Sequence, residues 1–166
     1  MSSADFWIDR LQLKQHPEGG WYRETYRSAD KHHFAAGNPF DPSRSWVTSI
    51  FYLLRQGDRS RLHRIMSDEL WFFHTGDPLT VHIFPREGTP GCFTLGTDPD
   101  KGQQLEECAP AGFWFGAEQN GEGTNGFSLV SCVVAPGFEF GDLAFAEKTA
   151  LLRQFPSHAA IIERLC

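Results

Sequence analysis

Hydrophobic and polar positions alternate with period two through most of the chain, and only the two ends break that rhythm. Between residues 4 and 13, Phe6, Ile8, Leu11 and Leu13 offer apolar positions behind Ser3, a suitable N-cap, with Asp5 in the first turn, so the spacing predicts a short helix. "HPEGG" (residues 16–20) ends it. "WYRETYRS" then alternates, with Trp21, Arg23 and Thr25 on one face and Tyr22, Glu24 and Tyr26 on the other, as a strand does. Residues 29–44 are rich in turn formers and read as a loop. From Ser45 onward the pattern predicts strands in quick succession: "SWVTSIFYLL", "RSRLHRI", "ELWFFHT", "LTVHIFP", "CFTLG", "GFWFGA", "FSLVSCVVA" and "FEFGDLA". Turn chemistry separates them, in "GDP", "REGTPG", "TDPDKGQ" and "EQNGEGTNG". "AFAEKTALLRQF" predicts a helix that stops at Pro156, and "SHAAIIERL" a last short helix capped by Ser157.

Strands of four to nine residues at regular spacing predict an all-β barrel or sandwich with short helices at the N- and C-termini. No repeat or linker interrupts residues 1–166, so one domain is expected. With 40% hydrophobic and 22% charged residues the chain can build a packed core, and its 15 phenylalanines and five tryptophans suit strands better than helices. The formal net charge of -6 and the absence of Lys/Arg runs argue against nucleic acid or an anionic membrane as a partner, since both demand clustered cations. The first residues carry early acids and no apolar stretch, unlike a secretion signal, and no apolar run approaches the roughly 20 residues that span a bilayer. A cytoplasmic location is the expectation. Cys92, Cys108, Cys132 and Cys166 form no C-x-x-C pair, so free thiols are expected in place of a zinc or redox motif.

Candidate chemistry is concentrated in "GDRSRLHRIMSDELWFFHTG". Gly57, His63, Ile65, Glu69 and Gly76 resemble the first cupin motif, G-x5-H-x-H-x3-E-x6-G, and Pro110 and Gly112 in "PAGFWFGAEQ" resemble the second, P-x-G-x2-H-x3-N. The blocks "HPEGGWYRETYRS", "SIFYLL", "HRIMSDELWFFHTGDPLTVH", "PAGFWFGAE" and "LVSCVVAPGFEFGDLAFAEKTALL" are similar to the uncharacterised cupin_5 (DUF985) family. The resemblance implies a double-stranded β-helix, the jelly-roll barrel, and a homodimer. A metal-binding cupin would offer three histidines and a glutamate; here Ile65 and Phe115 stand at two of those positions and neither donates a lone pair. No metal and no cofactor are expected.

Alternation places Glu69, Trp71 and Phe73 on one face, and His63 and Ile65 on another together with Arg61. If both faces turn inward, they and Phe113 and Phe115 line a mostly aromatic cavity, the usual make-up of a small-molecule site. His74 falls out of phase with Glu69, and the facing of His82 is open. His63 and Glu69 are then either a satisfied buried pair or a base and its orienting carboxylate, with one ring nitrogen free for a substrate proton. By resemblance to metal-independent cupin sugar epimerases, which use a histidine base and a tyrosine acid, Tyr26 or Tyr52 would be the acid. Glu24 shares the Tyr26 face, and Arg59 or Arg61 could orient an anion. Plain core packing accounts equally for the aromatics, and solvation for the arginines. His32 and His33 read as solvated loop residues, and "GEGTNG" as a hairpin loop. A metal-independent small-molecule-binding protein is the leading expectation, and an epimerase, isomerase or lyase the alternative.

Overall fold

The computed structural model describes residues 3–35, 37, 38, 40, 43–119, 121 and 123–166. In chain order the elements are α1 (Ala4–Leu11), β1 (Lys14–Gln15), β2 (Trp21–Arg27), β3 (Lys31–His33), β4 (Ser43–Ser45), β5 (Thr48–Arg55), β6 (Arg59–Arg64), β7 (Asp68–Gly76), β8 (Leu79–Phe84), β9 (Gly91–Leu95), β10 (Glu106–Ala109), β11 (Trp114–Gln119), β12 (Phe127–Ala135), β13 (Ala144–Phe145), α2 (Lys148–Gln154) and α3 (Ala159–Leu165). They build a six-stranded sheet, β1-β2-β5-β12-β7-β10, facing a five-stranded sheet, β13-β6-β11-β8-β9. Successive strands such as β6 and β7 therefore lie in opposite sheets, and the motif residues His63 and Glu69 face each other across the barrel.

Period-two patterning decides which side chains fill the space between the sheets. Tyr52, Leu54, Trp71, Val81, Phe115, Ala117, Val130 and Cys132 form the inner core. The outer faces are covered by the helices. On one side Ile8 and Leu13 cover Leu53, Phe127 and Leu129. On the other, Leu151, Phe155, Ile162 and Leu165 cover Leu62 and Phe84. No described helix is long and apolar enough to cross a membrane.

Several local expectations change. Ser3 caps α1 as expected, accepting from the Phe6 N–H at 3.2 Å. The stretch read as loop contains β3 and β4, which pair locally through Lys31↔Ser45 and His33↔Ser43; three-residue strands are too short to show alternation. Ala36, Pro39, Asp41 and Pro42 of that stretch lie outside the described residues. β10 carries no alternating signal because it is an edge strand, held by its pairing to β7. "FEFGDLA" is a 3-10 turn, Phe140–Asp142, followed by the two-residue β13. Asp142 is drawn onto the buried Arg44, which donates to it and to the Gly137 carbonyl. α2 begins at Lys148, where Glu147 accepts from the Thr149 and Ala150 amides. Ser157 is no cap; it sits inside a 3-10 turn, Pro156–His158, that leads into α3. "GEGTNG" is no hairpin either, since β11 and β12 belong to different sheets. Asp77 pins this crossover by accepting from the Asn125 and Gly126 amides, while Asn120 and Glu122 lie outside the described residues.

The turn at residues 16–20 matters most for the site. Gly19 (φ 108°) and Gly20 (φ 69°) both take backbone conformations that L side chains rarely adopt. A Cβ on Gly19 would come within 2.1 Å of the Arg59 carbonyl oxygen. The turn is thus pressed against β6, with the Arg61 N–H donating to the Glu18 carbonyl at 2.8 Å and the Tyr52 hydroxyl donating to the Gly19 carbonyl at 2.7 Å. Gly19→Ala is expected to cost at least about 2 kcal/mol, a fall in Tm of roughly 4–8 °C by calorimetry, because the turn must lift off the sheet. An unchanged Tm would contradict this account.

Candidate functional site

Glu18 at the tip of the turn reaches the inner face of β6. Its Oε1 accepts from Ser60 Oγ at 3.2 Å, and its Oε2 lies 3.1 Å from His63 Nε2. Ser60 and His63 both point inward because β6 carries a bulge, registering Phe115↔His63 but Ala117↔Ser60. That bulge breaks the expected alternation. Arg61 does not share the His63 face; it turns outward onto the Phe145 ring, 4.4 Å from the centroid. Arg59 also turns away, donating to the Arg164 carbonyl.

His63 is 1% exposed, and its surroundings settle where its hydrogens lie. Nδ1 is 2.7 Å from the Arg61 carbonyl, which can only accept, so Nδ1 donates. Nε2 faces the Glu18 carboxylate with one proton between them. Both nitrogens are therefore engaged by protein groups, and none is left for a substrate proton in this arrangement. The partner of His63 is Glu18, in place of the expected Glu69.

Glu69 sits on the opposite sheet, 7% exposed. Burial, and then the Glu18 charge, push its carboxyl up to about 8, opposed by the Cys132 thiol, which donates to it. Glu69 is thus mostly protonated at pH 7. Cys132 itself is pushed well above the usual thiol range by burial and by Glu69. His16 accepts the Glu18 N–H on Nδ1 at 3.3 Å, so its hydrogen is on Nε2, and burial lowers its pKa against the pull of Glu18.

These groups border a cavity of about 350 Å3. Its floor holds Glu18, His63, Ile65, Glu69 and Cys132. Its walls are Tyr22, Ile50, Val134, Phe138 and Phe140, with Lys14, Glu24 and Arg27 towards the mouth. Among the expected residues, His63, Glu69, Glu24 and Ile65 line it. Glu24 is held there by Arg27, which donates to both its oxygens. Tyr26 does not reach it. A bulge between Glu24 and Tyr26 turns that side chain to solvent, 56% exposed, and puts Arg27 in the inward row instead. Tyr52 is buried in the core with its hydroxyl donated to Gly19, and burial raises its pKa far above the ordinary phenol value, so it has no proton to offer a ligand. Trp71 and Phe73 belong to the core beyond the floor. Phe115 lies edge-on against His63 with centroids 4.3 Å apart. Phe113 borders a separate shallow groove with Phe93 and Cys92. His74 and His82 both face away from the cavity, bonded to Ser131 and Glu118. The expected list omitted Glu18, His16 and Tyr22. Their one signal was the Gly-Gly pair after Glu18, which marks a close backbone approach.

The family model Cupin_5, described as Cupin superfamily (DUF985), matches residues 5–146. The chain belongs to this cupin family. It is 31% identical over 153 residues to the uncharacterized protein YML079W of Saccharomyces cerevisiae, covering 87% of this chain and 75% of that one. It superposes on a hypothetical protein from Leishmania major with TM-score 0.89 at 36% identity, covering 99% of this chain and 98% of that one. Protein SO0799 from Shewanella oneidensis superposes with TM-score 0.86 at 41% identity, with coverage of 99% and 98%. Oxalate decarboxylase from Lactobacillus farciminis, at 12% identity and TM-score 0.54 over 95% of this chain and 42% of that one, shares the jelly-roll fold alone.

Many cupins hold a metal on the motif side chains, but the residues present here do not fit one. Ile65 and Phe115 occupy two of the ligand positions, and both nitrogens of His63 are engaged. No group of three or more His, Cys, Asp or Glu among the described residues is placed to share an ion.

The raised pKa of Glu69 has a sign that can be measured. Between about 4.5 and 8 the Glu69 carboxyl of the folded cupin holds a proton that it releases in the unfolded chain, so the contribution of Glu69 to stability falls as pH rises through that window and is level above it. Glu69→Gln is expected to flatten the fall and to be more stable than the parent at pH 8 by on the order of 1–3 kcal/mol, with cavity water screening part of the shift. Parallel pH profiles of the two proteins in urea titrations would refute the assignment.

Proposed function

We propose that this cupin binds a small molecule in the cavity between Glu18, Glu69 and the aromatic wall, without a metal. The observation that carries this reading is the cavity itself. At about 350 Å3 it lies within the size range of ligand sites, and it combines apolar walls with a few converging polar groups. A core serving stability alone would close this space, because each unfilled volume of this kind costs packing energy. A His63 base of the epimerase type lacks the observation it needs, a free ring nitrogen over the cavity, so binding is the stronger reading.

The test is a thermal-shift panel of nucleotide sugars, sugar phosphates and small acids on the parent and on Val134→Trp. Val134 is buried and lines the cavity, so the larger ring fills it. At least one compound class is expected to raise the parent Tm by 2 °C or more, a shift of about 0.5–1 kcal/mol, and to lose that effect in the variant. A silent panel, or equal shifts in the two proteins, would overturn the proposal.

We further propose that the protein is a homodimer. Leu70, Phe72 and Val133 stand on the outer face of the six-stranded sheet, where α1 does not reach, and Tyr26 and Trp46 are exposed. Light scattering after gel filtration is expected to give twice the chain mass of 18.8 kDa; a single-chain mass would refute it.

A further inference from the structure

Hydrogen-bonding capacity in the cavity is lopsided. Its acceptors are already used by the protein. Glu18 Oε1 accepts from Ser60 and its Oε2 faces His63. Both Glu24 oxygens accept from Arg27, which also donates to Glu139. Thr48 Oγ1 accepts the Phe138 N–H at 2.9 Å.

Apart from Arg27, three donors are not used in this way. His16 is buried and carries its hydrogen on Nε2, because Nδ1 accepts from the Glu18 amide. Nε2 donates to no described protein group, and His16 lines the cavity. Lys14 lies 5.3 Å over the Tyr22 ring at the mouth and forms no ion pair among the described residues. Glu69, neutral in this setting, presents a hydroxyl from the floor. Two of these donors are more than nine-tenths buried, where leaving them unmatched is costly. A donor-rich guest such as an amine would find occupied acceptors and meet Lys14 as a like charge. A guest that brings oxygen acceptors completes all three donors.

We propose that the cavity takes a small organic acid, its carboxylate accepting from His16 Nε2, the Glu69 hydroxyl and Lys14, its carbon body lying against Tyr22, Phe138 and Phe140. This rests on the reading of the cavity as a small-molecule site and names the class of its ligand. The aromatic wall favours a flat or ring-shaped body, since His16 stacks on Phe140 and the Phe138 and Phe140 rings meet edge to face.

Three probes of one shape and different charge test it: benzoate, benzamide and benzylamine, titrated calorimetrically into the full chain at pH 7. Benzoate is expected to bind at least tenfold more tightly than benzylamine, with benzamide between them. Lys14→Gln, an exposed change that should leave the Tm as it was, is expected to weaken benzoate severalfold and to spare benzamide. His16→Phe keeps the stacked ring and removes the donor, and should weaken both. Benzylamine binding as well as benzoate, or benzoate unaffected by Lys14→Gln, overturns the acid assignment. If no probe binds while the broader panel yields ligands that Val134→Trp excludes, the acid class falls and the binding site stands. Silence of both sets overturns the site as well.

Discussion

A carboxylate seated inside a barrel of hydrocarbon is the constraint on which the rest of this site depends. Removing Glu18 from water is costly, and the cost is offset only where every lone pair has a partner. Ser60 and His63 supply those partners, and the turn behind Glu18 is fastened by the Arg61 amide and the Tyr52 hydroxyl. The Gly-Gly pair is what lets the turn approach β6 closely enough for these contacts to form. His63 is locked by the same arrangement, and its two nitrogens are committed to protein groups.

The consequences spread across the cavity by charge. Glu18 lies near enough to Glu69 to oppose its ionisation, and burial does the larger part of the work. Two carboxyl groups in one cavity therefore differ in setting, Glu18 engaged with an imidazole and Glu69 held mostly protonated by burial. The metal-binding chemistry common in this superfamily asks for the reverse, unengaged histidine nitrogens and ionised carboxylates converging on one point. Ile65 and Phe115 complete that departure by placing hydrocarbon where two ligands would stand, with Phe115 edge-on against the ring of His63.

The other wall is a strap, residues 136–143, that crosses the mouth and contributes Phe138 and Phe140. It is tied at two places. Arg27 donates to the Phe138 carbonyl and to Glu139, while Arg44, buried beneath, holds Asp142 and the Gly137 carbonyl. Charge-assisted bonds of this kind keep the aromatic wall in place where no strand continues. The cavity thus stays open between a rigid sheet and a pinned loop, with its donors exposed to whatever enters.

Much of this was written in local pattern. Alternation of apolar residues marked the long strands from β5 to β12, the Ser3 cap marked α1, and the spacing of Gly57, His63, Glu69 and Gly76 marked the family. These features are legible because each depends on neighbours within a few residues. The composition of the site was not local. Glu18 and His63 are 45 positions apart, and only the fit of a two-glycine turn against β6 makes them partners. Bulges in β2 and β6 shift side-chain phase by one residue, so Tyr26 and Arg61 turn away from the cavity, while Arg27 enters it and Ser60 turns inward to Glu18. A bulge is set by pairing between strands, which no alternation within one strand can reveal. The chain's own order of residues determined the barrel and its family; the packing of one strand on another decided which polar groups face the hollow, because register belongs to pairs of strands and not to either alone.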